Sequence, residues 1–181
     1  MMHRILISLS LLLSTFASAG VYGDLEFGDD RETVTRKLRN SALVAQTIDN
    51  TFIGRTGLNG IFKCKAKLAG LTCHLFFNWD ENGGLNEITL RSDGLSLDQY
   101  DGELARASNE AESLFSKAYA APIQKTPFPP KEAFQQHKLL VTHVWRQVEN
   151  TSILMGPGID KGKCFLFIRF TNERIDLKAS P

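Results

Sequence analysis

No block of like charge runs through this chain: 21 lysines and arginines offset 20 aspartates and glutamates, leaving a formal net charge of +1. Bulk electrostatic attraction to nucleic acid or to anionic membranes is thereby excluded as a working principle. Low-complexity tracts are absent too, and 43% apolar with 9% aromatic residues is the composition of a globular protein able to bury a continuous core. There is no Gly-x-Ser-x-Gly elbow, so the exposed nucleophile turn of the common serine hydrolases is missing. Metal-ligand spacings are missing as well. His137 and His143 share one face of an expected strand but lie far apart along it, with no companion carboxylate or paired-cysteine motif. Asp80-Glu81-Asn82-Gly83-Gly84 lacks the fifth-position ligand and the closing glutamate of a calcium loop, and reads as a hairpin turn. The expectation is therefore no metal and no cofactor. Cysteine is scarce, at three residues. None of them stands at a helix N-terminus or a strand-to-helix elbow, where a thiolate would be favoured. A thiol paired with His74, His137 or His143 for nucleophilic catalysis thus loses to the plainer reading of buried strand cysteines.

One long apolar run is present, and it sits at the start. Arg4 precedes Ile5 to Phe16, and Ala17-Ser18-Ala19 follows before Gly20. A basic flank, a short greasy core and small residues at the junction are the pattern of a secretory signal peptide, and the run is too short to anchor the chain across a bilayer. Residues 1–19 are expected to be removed by cleavage after Ala19, leaving 20–181 as a single exported domain. The location would be the periplasm of a Gram-negative source, or the extracellular space otherwise. Gly20 offers no cysteine for lipid attachment, so no integral membrane segment is expected after cleavage.

Export makes disulfides permissible. Cys64 lies in a stretch where apolar and basic residues alternate, Ile61-Phe62-Lys63-Cys64-Lys65-Ala66-Lys67, and Cys73 lies just beyond a turn at Ala69-Gly70. Both take the apolar side of a hairpin, which makes Cys64 to Cys73 the expected bond. A tight turn at Ala69-Gly70 would put Ala66 opposite Cys73 instead, so buried thiols or a bridge to Cys164 stay open.

The fold class expected is α+β: an antiparallel sheet of about six strands with two helices on one face, in two helix-then-strands rounds. The first helix starts near Asp29, with Glu32 completing a cap and Val34 and Leu38 as its apolar stripe, and stops at Asn40. An extended segment is expected around Leu43 and Val44. Strands follow at about 61–68, 71–79 and 85–92, read from period-two alternation. Ser96 and Gln99 form a capping box before the second helix, whose stripe runs Leu97, Tyr100, Leu104, Ala107, Ala111, Leu114, Ala118. Pro122 ends that helix, and Pro127, Pro129 and Pro130 make a loop. Three more strands are expected near 138–147, 151–156 and 163–171, with a loop from Gly156-Pro157-Gly158 through Gly162.

Phe27-Gly28-Asp29-Asp30-Arg31-Glu32-Thr33-Val34, followed by Leu38, resembles the FG-small-x-R/E-x-x-V-x-x-x-L opening of small exported bacterial α+β domains of the beta-lactamase-inhibitor-protein and BamE type. In those families the segment is a strand entering a capped helix that packs on an antiparallel sheet. The likeness covers residues 27–38. Asp29 replaces the usual Met, Ser or Thr, the second round holds no copy of the motif, and the lipoprotein cysteine is absent. The resemblance implies fold and compartment, and that members act by binding proteins.

The apolar residues left on the far side of the sheet carry the functional expectation. Phe76 stands among Lys63, Lys65, Lys67 and His74, and Phe165 and Phe167 stand in a strand that is apolar on both sides. Either the Pro-rich stretch from Ala121 to Phe134 covers these rings, or they form a contact surface for a protein partner in the envelope or outside the cell, or for a second copy of the chain. Phe76, Phe165 and Phe167, bordered by Lys63, Lys65 and His74, are the expected binding residues of a non-enzymatic module. The lysines have a competing role, since alternating lysines discourage edge-to-edge aggregation. An exported hydrolase with an unrecognised site and a structural envelope component are the alternatives.

Overall fold

The computed structural model describes residues 21–46, 57–134, 139–146 and 151–175. The expected signal peptide and His137 lie outside them. Contacts divide the chain between Arg91 and Ser92 into two compact units. The fold class is α+β, with antiparallel strand pairing and two α-helices, and nine strands among the described residues replace the six expected. No described helix is long and apolar enough to cross a membrane.

The first unit opens with α1 (Arg31–Asn40), then β1 (Val44–Gln46), β2 (Phe62–Cys64), β3 (Cys73–Trp79) and β4 (Leu85–Ser92, of which all but Ser92 belong to this unit), the strands lying side by side in that order. The helix cap is Asp30, one residue later than expected: its carboxylate accepts from the Thr33 amide at 2.7 Å. That bond, on a fully exposed side chain, holds the Asp30 carboxyl below its usual range. Asp29 is engaged elsewhere, gripping Lys37 Nζ through both oxygens at 2.8 and 3.0 Å. The same segment is laced to the start of β4, with the Gly28 amide donating to the Leu85 carbonyl and the Leu85 amide to that of Asp29, both at 2.8 Å. Val34 and Leu38 supply the buried stripe of α1 as expected. The Asp80 loop is a hairpin turn, its carboxylate accepting from the Asn82 and Gly84 amides at 2.8 and 2.9 Å. Alternation holds in β3, where Cys73, Leu75 and Phe77 are buried and the residues between them are not.

The second unit contains β5 (Leu95–Ser96), α2 (Ala105–Tyr119), β6 (Gln124–Lys125), β7 (His143–Arg146), β8 (Ser152–Asp160) and β9 (Lys163–Thr171). Its strands run β9-β8-β7-β6, with β5 paired to β9. Gln99 accepts from the Ser96 amide at 3.1 Å, the reciprocal half of the expected capping box. Helical winding begins as a 3₁₀ turn at Leu97–Gln99 and loosens to a π turn at Tyr100–Leu104 before α2. Tyr100, Leu104, Ala107 and Ala111 are buried as expected, joined by Ser108 and Phe115, while Leu97 and Ala118 are exposed and Leu114 is half-buried. Phe115 packs against Trp145 and Phe170, with ring centres 5.7 and 6.2 Å apart. At the helix end Ala120 is held at φ 64, ψ −167, a region that suits only glycine, and its carbonyl accepts from the Trp145 indole at 3.2 Å.

The dominant feature of this unit is the β8–β9 hairpin, paired at all nine positions from Ser152↔Thr171 to Asp160↔Lys163. The expected loop from Gly156 is instead strand, because Lys161 (φ 49) and Gly162 (φ 74) make a two-residue turn by themselves. Gly156 and Gly158 belong in the strand for a steric reason. A Cβ on Gly156 would lie 1.8 Å from the Leu140 carbonyl oxygen, and one on Gly158 would lie 2.4 Å from the Phe165 ring. Leu139 faces Gly158 while His143 faces Met155, so the chain has one extra residue between these pairs. The bulge turns the Leu140 carbonyl over the strand, and only glycine leaves room for it.

Candidate functional site

The expected binding residues fall in both units. On the first unit, Lys63 stands directly opposite His74, and Ala45 of β1 stands opposite Lys63 on its other side. β1 therefore covers that flank of β2, so Lys63 does not guard an open edge. Phe76, two residues beyond His74, shares its face by strand alternation. The ring is half-buried and lies 5.8 Å from the Arg91 guanidinium carbon. Lys63, Lys65 and Lys67 are exposed, and Lys65, already past the end of β2, anchors its amide on the Leu43 carbonyl at 2.8 Å. Lys63, His74, Phe76 and Arg91 thus make a cationic face around a partly covered aromatic ring.

Phe165 and Phe167 are not part of an open surface, which corrects the expectation. They are 3% and 1% exposed and form a cluster with Leu154, against which Ile175 packs. Cross-strand register explains the burial: Phe165 faces Gly158 and Phe167 faces Gly156, so each ring lies beside a position with no side chain of its own. The Arg169 guanidinium carbon lies 5.8 Å from the Phe167 ring centre. Ile175 is held by its amide on Ser152 Oγ and by Arg146 Nη2 on its carbonyl, both at 3.0 Å. The Pro-rich stretch, the expected cover, packs on Tyr100: the Phe128 and Phe134 rings lie 4.9 and 5.7 Å from it, and its hydroxyl donates to the Pro129 carbonyl at 2.7 Å.

All three cysteines are buried thiols, and the expected Cys64 to Cys73 bond is not formed in this structure. Burial pushes Cys64 and Cys164 above the ordinary thiol range. Cys164 Sγ turns to the Ser96 and Leu95 carbonyls at 3.4 and 3.7 Å. Cys64 Sγ accepts from the Tyr22 hydroxyl at 3.4 Å, and the Cys73 thiol points to the Leu71 carbonyl at 3.8 Å.

Sequence reasoning missed one polar cluster, in the second unit. The Thr142 hydroxyl lies 2.8 Å from His143 Nδ1 and 3.1 Å from the Met155 carbonyl, while His143 Nε2 lies 3.3 Å from Glu112 Oε2. That last contact is close enough for an ion pair and out of line for a hydrogen bond. Lys125 takes the other oxygen of Glu112, and the imidazole stacks on Trp145. Burial pushes His143 below the usual imidazole value, the nearby Glu112 carboxylate opposing it. A hydroxyl, imidazole and carboxylate in series can act as a nucleophilic triad only where a substrate can enter. Here Thr142 is 2% exposed and its hydroxyl lies within reach of a backbone carbonyl. Glu112 comes from α2, Lys125 from β6, and Thr142 and His143 from the entry to β7, so no short motif joins the carboxylate to the imidazole.

No cluster of His, Cys, Asp or Glu suited to a metal ion occurs among the described residues. In comparisons with known proteins the chain matches no family model, no curated protein and no solved structure.

Proposed function

We propose that this chain is an exported, non-enzymatic binding module, and that the Lys63, His74, Phe76 and Arg91 face of its first unit contacts a protein partner in the envelope or outside the cell. One observation carries the reading: an aromatic ring left half-buried on a sheet face, with cationic and imidazole side chains around it. Aromatic and arginine side chains that still have surface to lose are the groups that contribute most at interfaces, and a basic rim chiefly raises association rate and its salt dependence. The resemblance of residues 27–38 to exported protein-binding domains points the same way. Phe165 and Phe167 have no part in this surface, since they are already core.

The test is capture from native periplasm or culture fluid with mature protein beginning at Gly20, run beside a Phe76→Ser, Lys63→Glu variant whose fold is checked by circular dichroism. A partner retained by the wild type and lost by the folded variant supports the reading. Equal recovery by both proteins, or recovery by neither, defeats it.

A further inference from the structure

We infer that Cys64 and Cys73 are a dithiol site that oxidises to a disulfide across β2 and β3, with Cys164 left as a thiol. The inference stands on the register of the first unit and does not rest on the binding reading. Leu68 faces Leu71 around a tight turn at Ala69 (φ 48) and Gly70 (φ 85), and that pairing alone would put Ala66 opposite Cys73. Further along the same hairpin, however, Lys63 faces His74. Residues 65–67 on one strand therefore span what Thr72 spans alone on the other, and these two extra residues move Cys64 into the place opposite Cys73. Directly opposed residues of an antiparallel pair have Cα atoms about 4.5–5.5 Å apart, inside the roughly 4.4–6.8 Å range of disulfides. Both side chains lie on the buried face, at 5% and 0% exposure. Cys164 belongs to the other unit and stands opposite Leu95, while the partners of the reduced pair, the Tyr22 hydroxyl on Cys64 and the Leu71 carbonyl at Cys73, are weak contacts of 3.4 and 3.8 Å that a disulfide would replace.

Oxidation needs an acceptor, and a small-molecule or protein disulfide supplies it. The thiolate of one cysteine attacks the acceptor's sulfur and releases one acceptor thiol. The second cysteine, losing its proton, attacks the mixed disulfide and releases the other. The protein loses two hydrogens and two electrons pass to the acceptor, which becomes two thiols. Because both sulfurs are buried, exchange takes place while the hairpin is still open, and the oxidation state is then enclosed by folding.

The experiment is to refold the mature chain in a mixed oxidised and reduced glutathione buffer, alkylate it, digest without reduction and map the peptides. Trypsin cuts after Lys65 and Lys67 and so separates the two cysteines. The expected product has Cys64 joined to Cys73, a mass lower by two hydrogens before alkylation, and alkylation at Cys164 alone. The oxidised protein should melt about 5–10 °C above its reduced form, a gap that Cys73→Ala loses and Cys164→Ser keeps. Alkylation of both Cys64 and Cys73, or any bridge to Cys164, overturns the inference, and both outcomes are readable on the wild type even if a variant does not fold.

Discussion

The two units solve the same problem, an antiparallel sheet with one apolar face too many, in opposite ways. In the first, β3 alternates strictly and leaves its second face partly open, with Phe76 as a lone aromatic among charged neighbours. In the second, β9 is buried along both faces, and its extra phenylalanines lie against glycines across the hairpin with Leu154 and Ile175 over them. An aromatic residue on the unexpected face of a strand is thus surface or core according to what stands opposite it. Lys63 and His74 opposite one another mark solvent, whereas Gly156 and Gly158 mark burial.

That contrast can be broken most sharply at the glycines. Gly156→Ala should cost on the order of 4 kcal/mol or prevent folding, since its methyl group would meet a backbone carbonyl. Gly60→Ala in the first unit meets only the edge of the Phe76 ring, at 3.4 Å, and should cost about 1–2 kcal/mol through its φ of +76. Urea titrations that rank the two the other way would dismantle the account of the β8 bulge. Next in size, Phe167→Ala should lose about 3–5 kcal/mol and Phe76→Ala well under half as much. Equal losses would mean that both rings are core.

A pH series sharpens the comparison through His143. Unfolded histidine titrates near pH ~6.5, and burial holds the folded residue lower. Above that pH both states are neutral and the residue contributes nothing. As the pH falls below it, the unfolded chain takes up a proton that the folded one refuses, and stability drops until the folded value is reached. Wild-type midpoints should therefore decline from neutral pH toward acid, and His143→Gln should flatten that decline; an unchanged slope would show that other groups carry it. The smallest effect is a gain. Ala120→Gly should stabilise by about 1 kcal/mol, by removing the strained conformation at the end of α2, and a loss measured by thermal melting would show that the methyl group has a packing role.

Legibility followed the same divide. Strands with one wet face announced themselves: Cys73 to Trp79 and the Asp80 turn lie where alternation and turn chemistry placed them. The stripe of α2 was visible from Tyr100 to Ala111, but it continues by a four-residue step to Phe115 instead of Leu114, because Phe115 packs against Trp145 and Phe170, neighbours that no local spacing records. In β8, Gly156-Pro157-Gly158 has the composition of a loop and the geometry of a strand, since its reason lies in the Leu140 carbonyl, a tertiary neighbour. The burial of Phe165 and Phe167 was hidden for the same reason. A face polar on one strand and glycine-rich on its partner can be recognised only once the register is known.

The hairpin of β8 and β9 also bears on the order of folding. Its strands are consecutive and joined by two residues, so closing it costs little loop entropy, and hairpins of this kind form in about 1–10 μs. β1 and β2 must instead bring Val44 to Cys64 across a long connection. The segment best equipped to start folding therefore follows the strands of the first unit in sequence, and we expect β8 and β9 to settle before β1 and β2. Pulsed hydrogen exchange during refolding should protect amides of β8 and β9 before those of β1 and β2; the reverse order would assign the folding nucleus to the first unit.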